Sequence, residues 1–238
     1  MKSPFLIIAH RGGGRGEFQE NTLEAFQNAV FKGFKAIEMD VRMDTKRERF
    51  FLEHDFLYSP TVKSNVFEKV IPIFEKDVLV FTELKTMTFK RRDYAELFCE
   101  FIRRHHLQDQ VVVISFNPFI LKMIREIEPK LKLGFLCGTA LTYMIGKKYF
   151  FESIKPDFFI ISKRIIDEKK VKFAHDQGAK VLSTLTNKEK HILKAGKLGV
   201  DGIITDFPEL AANLLHSQAT FPIHHAGHQE EVPKFISI

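Results

Sequence analysis

Eight short apolar runs, set apart by longer helix-like stretches, confine this chain to a narrow range of architectures. The runs fall at residues 5–9 (FLIIA), 36–40 (AIEMD), 79–83 (LVFTE), 111–115 (VVVIS), 132–136 (KLGFL), 158–161 (FFII), 180–184 (KVLST) and 202–205 (GIIT). They are β-branched or aromatic and apolar on both faces, as strands covered on two sides are. Residues 22–32, 93–106, 118–127, 139–154, 167–177 and 188–198 carry apolar side chains at helical spacing. Alternation of this kind implies right-handed parallel strand–helix units. Eight strands in a chain of 238 residues predict an α/β fold, a closed (β/α)8 TIM barrel. An open doubly wound sheet is the alternative. It has less support, because no glycine-rich dinucleotide fingerprint follows any run.

One interval breaks the alternation. After Asp40 the chain reaches the stretch 49–54 (RFFLEH) in fewer residues than a parallel crossover needs. This predicts an antiparallel β-hairpin excursion after the second strand, returning His54 and Asp55 to the neighbourhood of Glu38 and Asp40. Residues 1–219 are expected to form one barrel domain. Residues 220–238 lack periodicity and predict an extended tail. The tail histidines His224, His225 and His228 are read as part of a polar tail in preference to a metal site.

Composition excludes several function classes. Lys and Arg number 36 against 30 acids, and the resulting charge of +6 is dispersed among the acids. No basic helix or aromatic–basic motif accompanies it, so no nucleic-acid partner is expected. Cys99 and Cys137 fit no CxxC spacing, which suits buried thiols in a reducing compartment. No apolar run approaches membrane-spanning length, so no integral membrane segment is expected. The run 5–9 is too short for a signal-peptide core, and a cytoplasmic location is expected. The oligomeric state is not legible. The 25 phenylalanines, against no tryptophan, have no functional reading in the sequence.

In a barrel the C-terminal strand ends and the loops after them build the active site. Those ends read His10-Arg11-Gly12, Glu38-Met39-Asp40 and Glu83-Leu84-Lys85, with the hairpin returning at His54-Asp55. Glu38 and Asp40 are two apart and point to one side of a strand. Facing like charges favour a cation between them, and Glu83 supplies a third hard oxygen donor. Such a trio suits one divalent cation, Mg²⁺ or Ca²⁺, better than zinc. His10 and His54 near that site read as a general acid and a general base. Arg11 and Lys85 either neutralise the acids or grip a phosphate. Gly12-Gly13-Gly14 with Gly16 forms an open loop whose backbone N–H groups suit an anion, although no Walker pattern follows.

The ordered series resembles the N-terminal signature of the glycerophosphodiester phosphodiesterase family. It comprises His10-Arg11-Gly12, then Glu20-Asn21-Thr22 opening a helix with Ala25 and Phe26, then Gly33, Glu38-x-Asp40 and His54-Asp55. Ile71-Pro72, Glu83-Leu84-Lys85, Ser115-Phe116 and the run 199–208 (GVDGIITDFP) look like its later landmarks, over residues 5 to 215. The resemblance implies that Glu38, Asp40 and Glu83 hold the cation and that His10 and His54 move protons. It further implies that Arg11, Asn21 and Lys85 position the phosphate. Asn21 also suits a helix N-cap, and Ser115 and Phe116 also suit strand-end packing. The implied reaction is metal-dependent hydrolysis of a small-molecule glycerophosphodiester to sn-glycerol 3-phosphate and an alcohol. The nucleophile is water or the neighbouring glycerol hydroxyl. Rival readings are a lysophospholipase D or sphingomyelinase D-like phosphodiesterase, and a non-catalytic phosphate-ligand sensor on the barrel scaffold. The chain departs from the pattern at Gln19, at Lys46-Arg47-Glu48 in the hairpin turn, and in the short stretch 56–76. It departs again at Thr184-Leu185-Thr186-Asn187, where the family usually has a tryptophan. The last departure reshapes the substrate wall, so the alcohol moiety is left open.

Overall fold

The computed structural model describes residues 5–14, 17–44, 48–54, 66–73, 77–86 and 92–216. Gly16, Lys46, Arg47, Asp55 and the tail 220–238 with its histidines lie outside the described residues.

Nine strands are present. They are β1 (Leu6–His10), β2 (Ala36–Asp44), β3 (Arg49–Leu52), β4 (Leu79–Leu84), β5 (Val111–Ser115), β6 (Lys132–Cys137), β7 (Phe158–Ser162), β8 (Lys180–Thr184) and β9 (Gly202–Thr205). All but β3 run parallel in the order β1-β9-β8-β7-β6-β5-β4-β2, and β1 also pairs with β2, which closes the circle. The expected eight-stranded barrel is therefore found. β3 stands outside the circle, antiparallel to the extended β2, with Val41 opposite Leu52 and Asp44 opposite Arg49. This is the expected hairpin.

Around the barrel lie α1 (Leu23–Phe31), α2 (Arg92–Arg104), α3 (Pro118–Ile127), α4 (Ala140–Ile145), α5 (Phe151–Ile154), α6 (Glu168–Asp176), α7 (Glu189–Lys197) and α8 (Pro208–His216). Three details differ from the sequence reading. The single helix expected over 139–154 is interrupted by a π-helical turn, Gly146–Phe150. A Cβ on Gly146 would lie 2.1 Å from the Phe135 ring, so that ring fills the space a side chain would need. The second difference is α8, which the periodicity reading did not name. Third, the crossover into β4 carries two 3₁₀ turns, Phe67–Lys69 and Ile71–Ile73, and no α-helix among its described residues.

The interior is filled in period 2. Ile8, Ala36, Phe81, Ile114, Leu136, Ile160, Leu182 and Ile204 form one buried cluster, with Val112 and Phe158 beneath. Phe81 and Phe158 meet edge to face at 5.1 Å. The same alternation carried two residues further along each chain gives His10, Glu38, Glu83, Phe116, Gly138, Ser162, Thr184 and Asp206. The parity that packs the barrel thus sets the chemistry of its mouth. The phenylalanines gain a packing role outside the barrel. Phe50 on β3 stacks on Tyr94 at 5.8 Å and meets Phe98 and Phe101 edge-on at 5.3 and 5.4 Å, which docks the hairpin on α2.

Candidate active site

The strand register assembles the acids. His10 is the ladder partner of Glu38, and Asp40 is the partner of Glu83. One oxygen from each of Glu38, Asp40 and Glu83 lies within 4.8 Å of the other two, and among the described residues this is the one cluster with such spacing. The three are nearly sealed from solvent, at 2%, 0% and 8% exposure. Burial first, then the neighbouring Asp40 and Glu83 charges, push the Glu38 carboxyl well above its ordinary range. Burial likewise raises Glu83 to about 7, with Lys85 opposing and Asp40 assisting.

Two cations lie among these acids. Lys85 Nζ sits 2.7 Å from Glu83 and 3.1 Å from Asp40. Arg11 Nε sits 2.7 Å from Asp40, and its terminal nitrogen donates to Glu20 at 2.8 Å. Burial works against both charges, but the facing carboxylates outweigh it and raise both pKa values. Three carboxylates against two cations leave the cluster short of positive charge. Both Asp40 oxygens and Arg11 Nε, moreover, are buried without a partner in hydrogen-bond geometry. A closely spaced, buried, under-neutralised set of hard oxygens fits a divalent cation.

The loop after β1 is built to hold this arrangement. Gly12 takes φ +94, and a Cβ there would strike Ala25 at 2.7 Å. Arg11 and Asn21 also adopt positive φ. The Arg11 backbone N–H donates to Glu38 at 3.1 Å. Thr22 is the α1 N-cap, accepting from Ala25 N–H, so the cap reading for Asn21 is corrected by one residue. Asn21 is buried and faces Asp40: its amide donates to the Asp40 carbonyl and accepts from the Asp40 N–H, both at 3.1 Å. It fixes the height of Asp40.

His10 is held from behind. Its Nδ1 lies 2.5 Å from Asp206, and its Nε2 lies 3.8 Å from Glu38. Asp206 in turn accepts from the Asn187 amide at 2.5 Å, and Asn187 accepts from Thr205 Oγ1 and the Asp206 N–H. The sequence reading assigned no role to Asp206 or Asn187. The signal was present, because Asp206 lies two residues beyond the interior Ile204. Exposed His54 reaches the same cavity from the hairpin, where the Glu53 N–H donates to the Asp40 carbonyl at 3.2 Å. The cavity holds about 370 Å³; His10, Arg11, Glu38, His54, Glu83 and Lys85 line one side. Ser115 is buried and donates to the Leu84 carbonyl at 3.0 Å, whereas Phe116 is exposed and lines the cavity.

The family model for the "Glycerophosphoryl diester phosphodiesterase family" matches residues 10–91 and 64–210. The chain belongs to the glycerophosphoryl diester phosphodiesterase family. It is accordingly a phosphodiesterase. A glycerophosphodiester phosphodiesterase of Caldanaerobacter subterraneus subsp. tengcongensis is 27% identical over 243 residues, covering 88% of this chain and 97% of that protein. A glycerophosphodiester phosphodiesterase of Parabacteroides distasonis shares the fold at a TM-score of 0.79 and 22% identity, over 92% of this chain and 100% of that one. An Oleispira antarctica phosphodiesterase, solved with its product sn-glycerol-3-phosphate, superposes at 0.77 with 20% identity, over 90% of this chain and 97% of that one. Within this phosphodiesterase the substituted wall is visible. Thr184, the first residue of the segment that departs from the family pattern, is half-buried and lines the cavity, with exposed Leu185 at φ +51 beside it.

Proposed function

We propose that this phosphodiesterase hydrolyses glycerophosphodiesters to sn-glycerol 3-phosphate and an alcohol, with a divalent cation and a histidine pair. The observation that carries this reading is the buried, under-neutralised carboxylate trio beside an imidazole backed by Asp206. Glu38, Asp40 and Glu83 would hold the cation. When bound it supplies Lewis-acid polarisation of the phosphoryl oxygens. A neutral His10 whose Nδ1–H donates to Asp206 presents a bare Nε2 toward the cavity, and the carboxylate stabilises the imidazolium that proton uptake creates. His54, on the hairpin, carries the complementary proton transfer at the leaving alcohol or the nucleophile. Arg11 and Lys85, held close to the trio, stabilise charge gathering on the equatorial phosphoryl oxygens. Asn21 acts through Asp40, as a positioning residue. The buried free thiols Cys99 and Cys137 suit a reducing compartment, and a cytoplasmic setting is part of this reading.

A coupled assay for glycerol 3-phosphate over a panel of diesters tests it. Release should vanish with chelator and return with Mg²⁺ or Ca²⁺. Release that ignores chelator, or no release from any diester, removes the reading. Exposed Phe116 and Leu185 at the cavity favour a second reading, activity on lysophospholipids. Alcohol release from glycerophosphocholine and lysophosphatidylcholine, measured side by side, separates the two.

A further inference from the structure

Opposite the acid trio, the cavity wall has the reverse character. In the closed order of eight strands, β7 stands four places from β2, and β8 stands four places from β4. The residues after β7 therefore face Glu38 and Asp40 across the mouth. Those residues are Lys163 and Arg164, and both line the cavity, with Ser162, Thr184 and Leu185 beside them. Arg11 and Lys85, the other lining cations, are paired to carboxylates. Lys163 and Arg164 form no salt bridge among the described residues. Lys163 Nζ donates to the Leu185 carbonyl, a neutral acceptor, and the Arg164 N–H leans on Ser162 Oγ at 3.4 Å.

The surroundings of Lys163 are predominantly cationic. Arg164, Lys188 and His191 lie within its field, and the one facing acid, Asp206, is buried and already engaged by His10 and Asn187. Burial and the repulsion of Arg164 depress the Lys163 pKa. Two adjacent cations at the cavity wall, Lys163 half-buried and Arg164 exposed, whose one facing acid is already engaged, are relieved by an anion. Its natural source is the part of the substrate that extends across the mouth when the scissile phosphate lies against the trio.

We infer that Lys163 and Arg164 form an anion subsite for the alcohol side of the substrate, so that the preferred diesters carry a second anionic group, phosphate or carboxylate, on the leaving alcohol. This rests on the hydrolase reading above and sharpens it. The charged forks act on binding of the distal group, so their effect appears as discrimination between substrates.

Two diesters differing only in that group provide the test: glycerophosphoglycerol, and the same molecule with a phosphomonoester on its distal glycerol. With the divalent cation present, kcat/KM for the phosphorylated diester should exceed that for the neutral one by about tenfold, and the advantage should shrink as salt is raised. In Lys163→Gln/Arg164→Gln the ratio should fall toward one, and in Lys163→Arg/Arg164→Lys it should persist. Calorimetric binding of the matching phosphonate analogues, in which the scissile oxygen is replaced by carbon, reads the same ratio without turnover. A binding preference that disappears in the double Gln variant supports the subsite even where no diester is cleaved, in which case only the hydrolase reading fails. Equal binding of the two analogues by the wild type overturns the subsite, as does a preference that survives the double Gln change. Turnover of the neutral diester leaves the hydrolase reading intact in both cases. A double Gln variant that loses neutral and charged substrates equally also overturns it, and assigns the pair to the scissile phosphate instead.

Discussion

Asp206 takes Nδ1 of His10 at 2.5 Å, so the ring nitrogen turned to Glu38 and the cavity is Nε2. Asp206→Asn keeps the shape but cannot accept from both His10 and Asn187. It should lower kcat on the order of 10²-fold or more, with KM little changed. Steady-state kinetics across pH checks this, and an unaltered kcat would remove Asp206 from the mechanism. The acid trio carries a stability prediction of definite sign. Glu83 is raised from an ordinary 4.5 to about 7, and Glu38 rises in the same direction. Between those two values the folded state binds more protons than the unfolded one. The stability associated with the neutral carboxyls is therefore full below the unfolded value and is lost as pH rises through the folded one. Cation-free protein should accordingly lose Tm between about pH 5 and about pH 8, and a divalent cation should raise Tm more at the upper end. Glu38→Gln should flatten that loss and remove most of the cation-induced shift. Differential scanning calorimetry with and without chelator measures both, and a cation shift equal at both pH values would count against the assignment. At this scale the sequence was legible where the partners are local. Glu38-x-Asp40 must share a strand face, because side chains alternate. Asp206 was not legible as a partner of His10, because the two are 196 positions apart and only barrel closure makes them neighbours.

At the scale of elements, the parallel strands agree with the sequence runs to within a residue, except β2, which continues four residues beyond its run to Asp44 because it pairs with β3 in the hairpin. The helices were less evenly legible. α3 begins with Asn117 accepting from the Phe119 N–H and Pro118 in the first turn, a local start signal, and its limits agree with the sequence reading. The π-helical turn Gly146–Phe150 was hidden, and the Phe135 ring that lies against its Gly146 comes from β6, outside the helix's own pattern. The hairpin was legible from the shortness of its connection, but what docks it was not. Phe50 packs on Tyr94, Phe98 and Phe101 of α2, and Tyr94 Oη donates to the Val41 carbonyl at 3.3 Å. Phe50→Ala should cost about 3–5 kcal/mol of stability and loosen the strand that delivers His54. Denaturant unfolding gives the first quantity. A drop in kcat/KM at a temperature where the variant remains folded gives the second.

For the molecule as a whole, closure depends on filling the barrel from both sides. Phe81 on β4 and Phe158 on β7 meet across the interior, and Gly134 on β6 leaves room for Ile114 and Ile160, since a Cβ there would lie 2.8 Å and 3.1 Å from them. Phe81→Ala should open a cavity at the centre and cost about 3–5 kcal/mol, lowering Tm by roughly 10 °C. A thermal melt indistinguishable from the wild type would show that the interior collapses around the loss. The amino-acid order alone determined the alternation of strands and helices, the hairpin, and the face on which each strand-end acid, histidine and base would lie. Those properties follow from chain stiffness and from periods of two and 3.6 residues, which act over a few neighbours. The tertiary structure alone decided that Asp206 backs His10 and that Lys163 and Arg164 face the acid trio. Each of these depends on which distant segments become adjacent when the ring closes, and no local pattern in the chain encodes that adjacency.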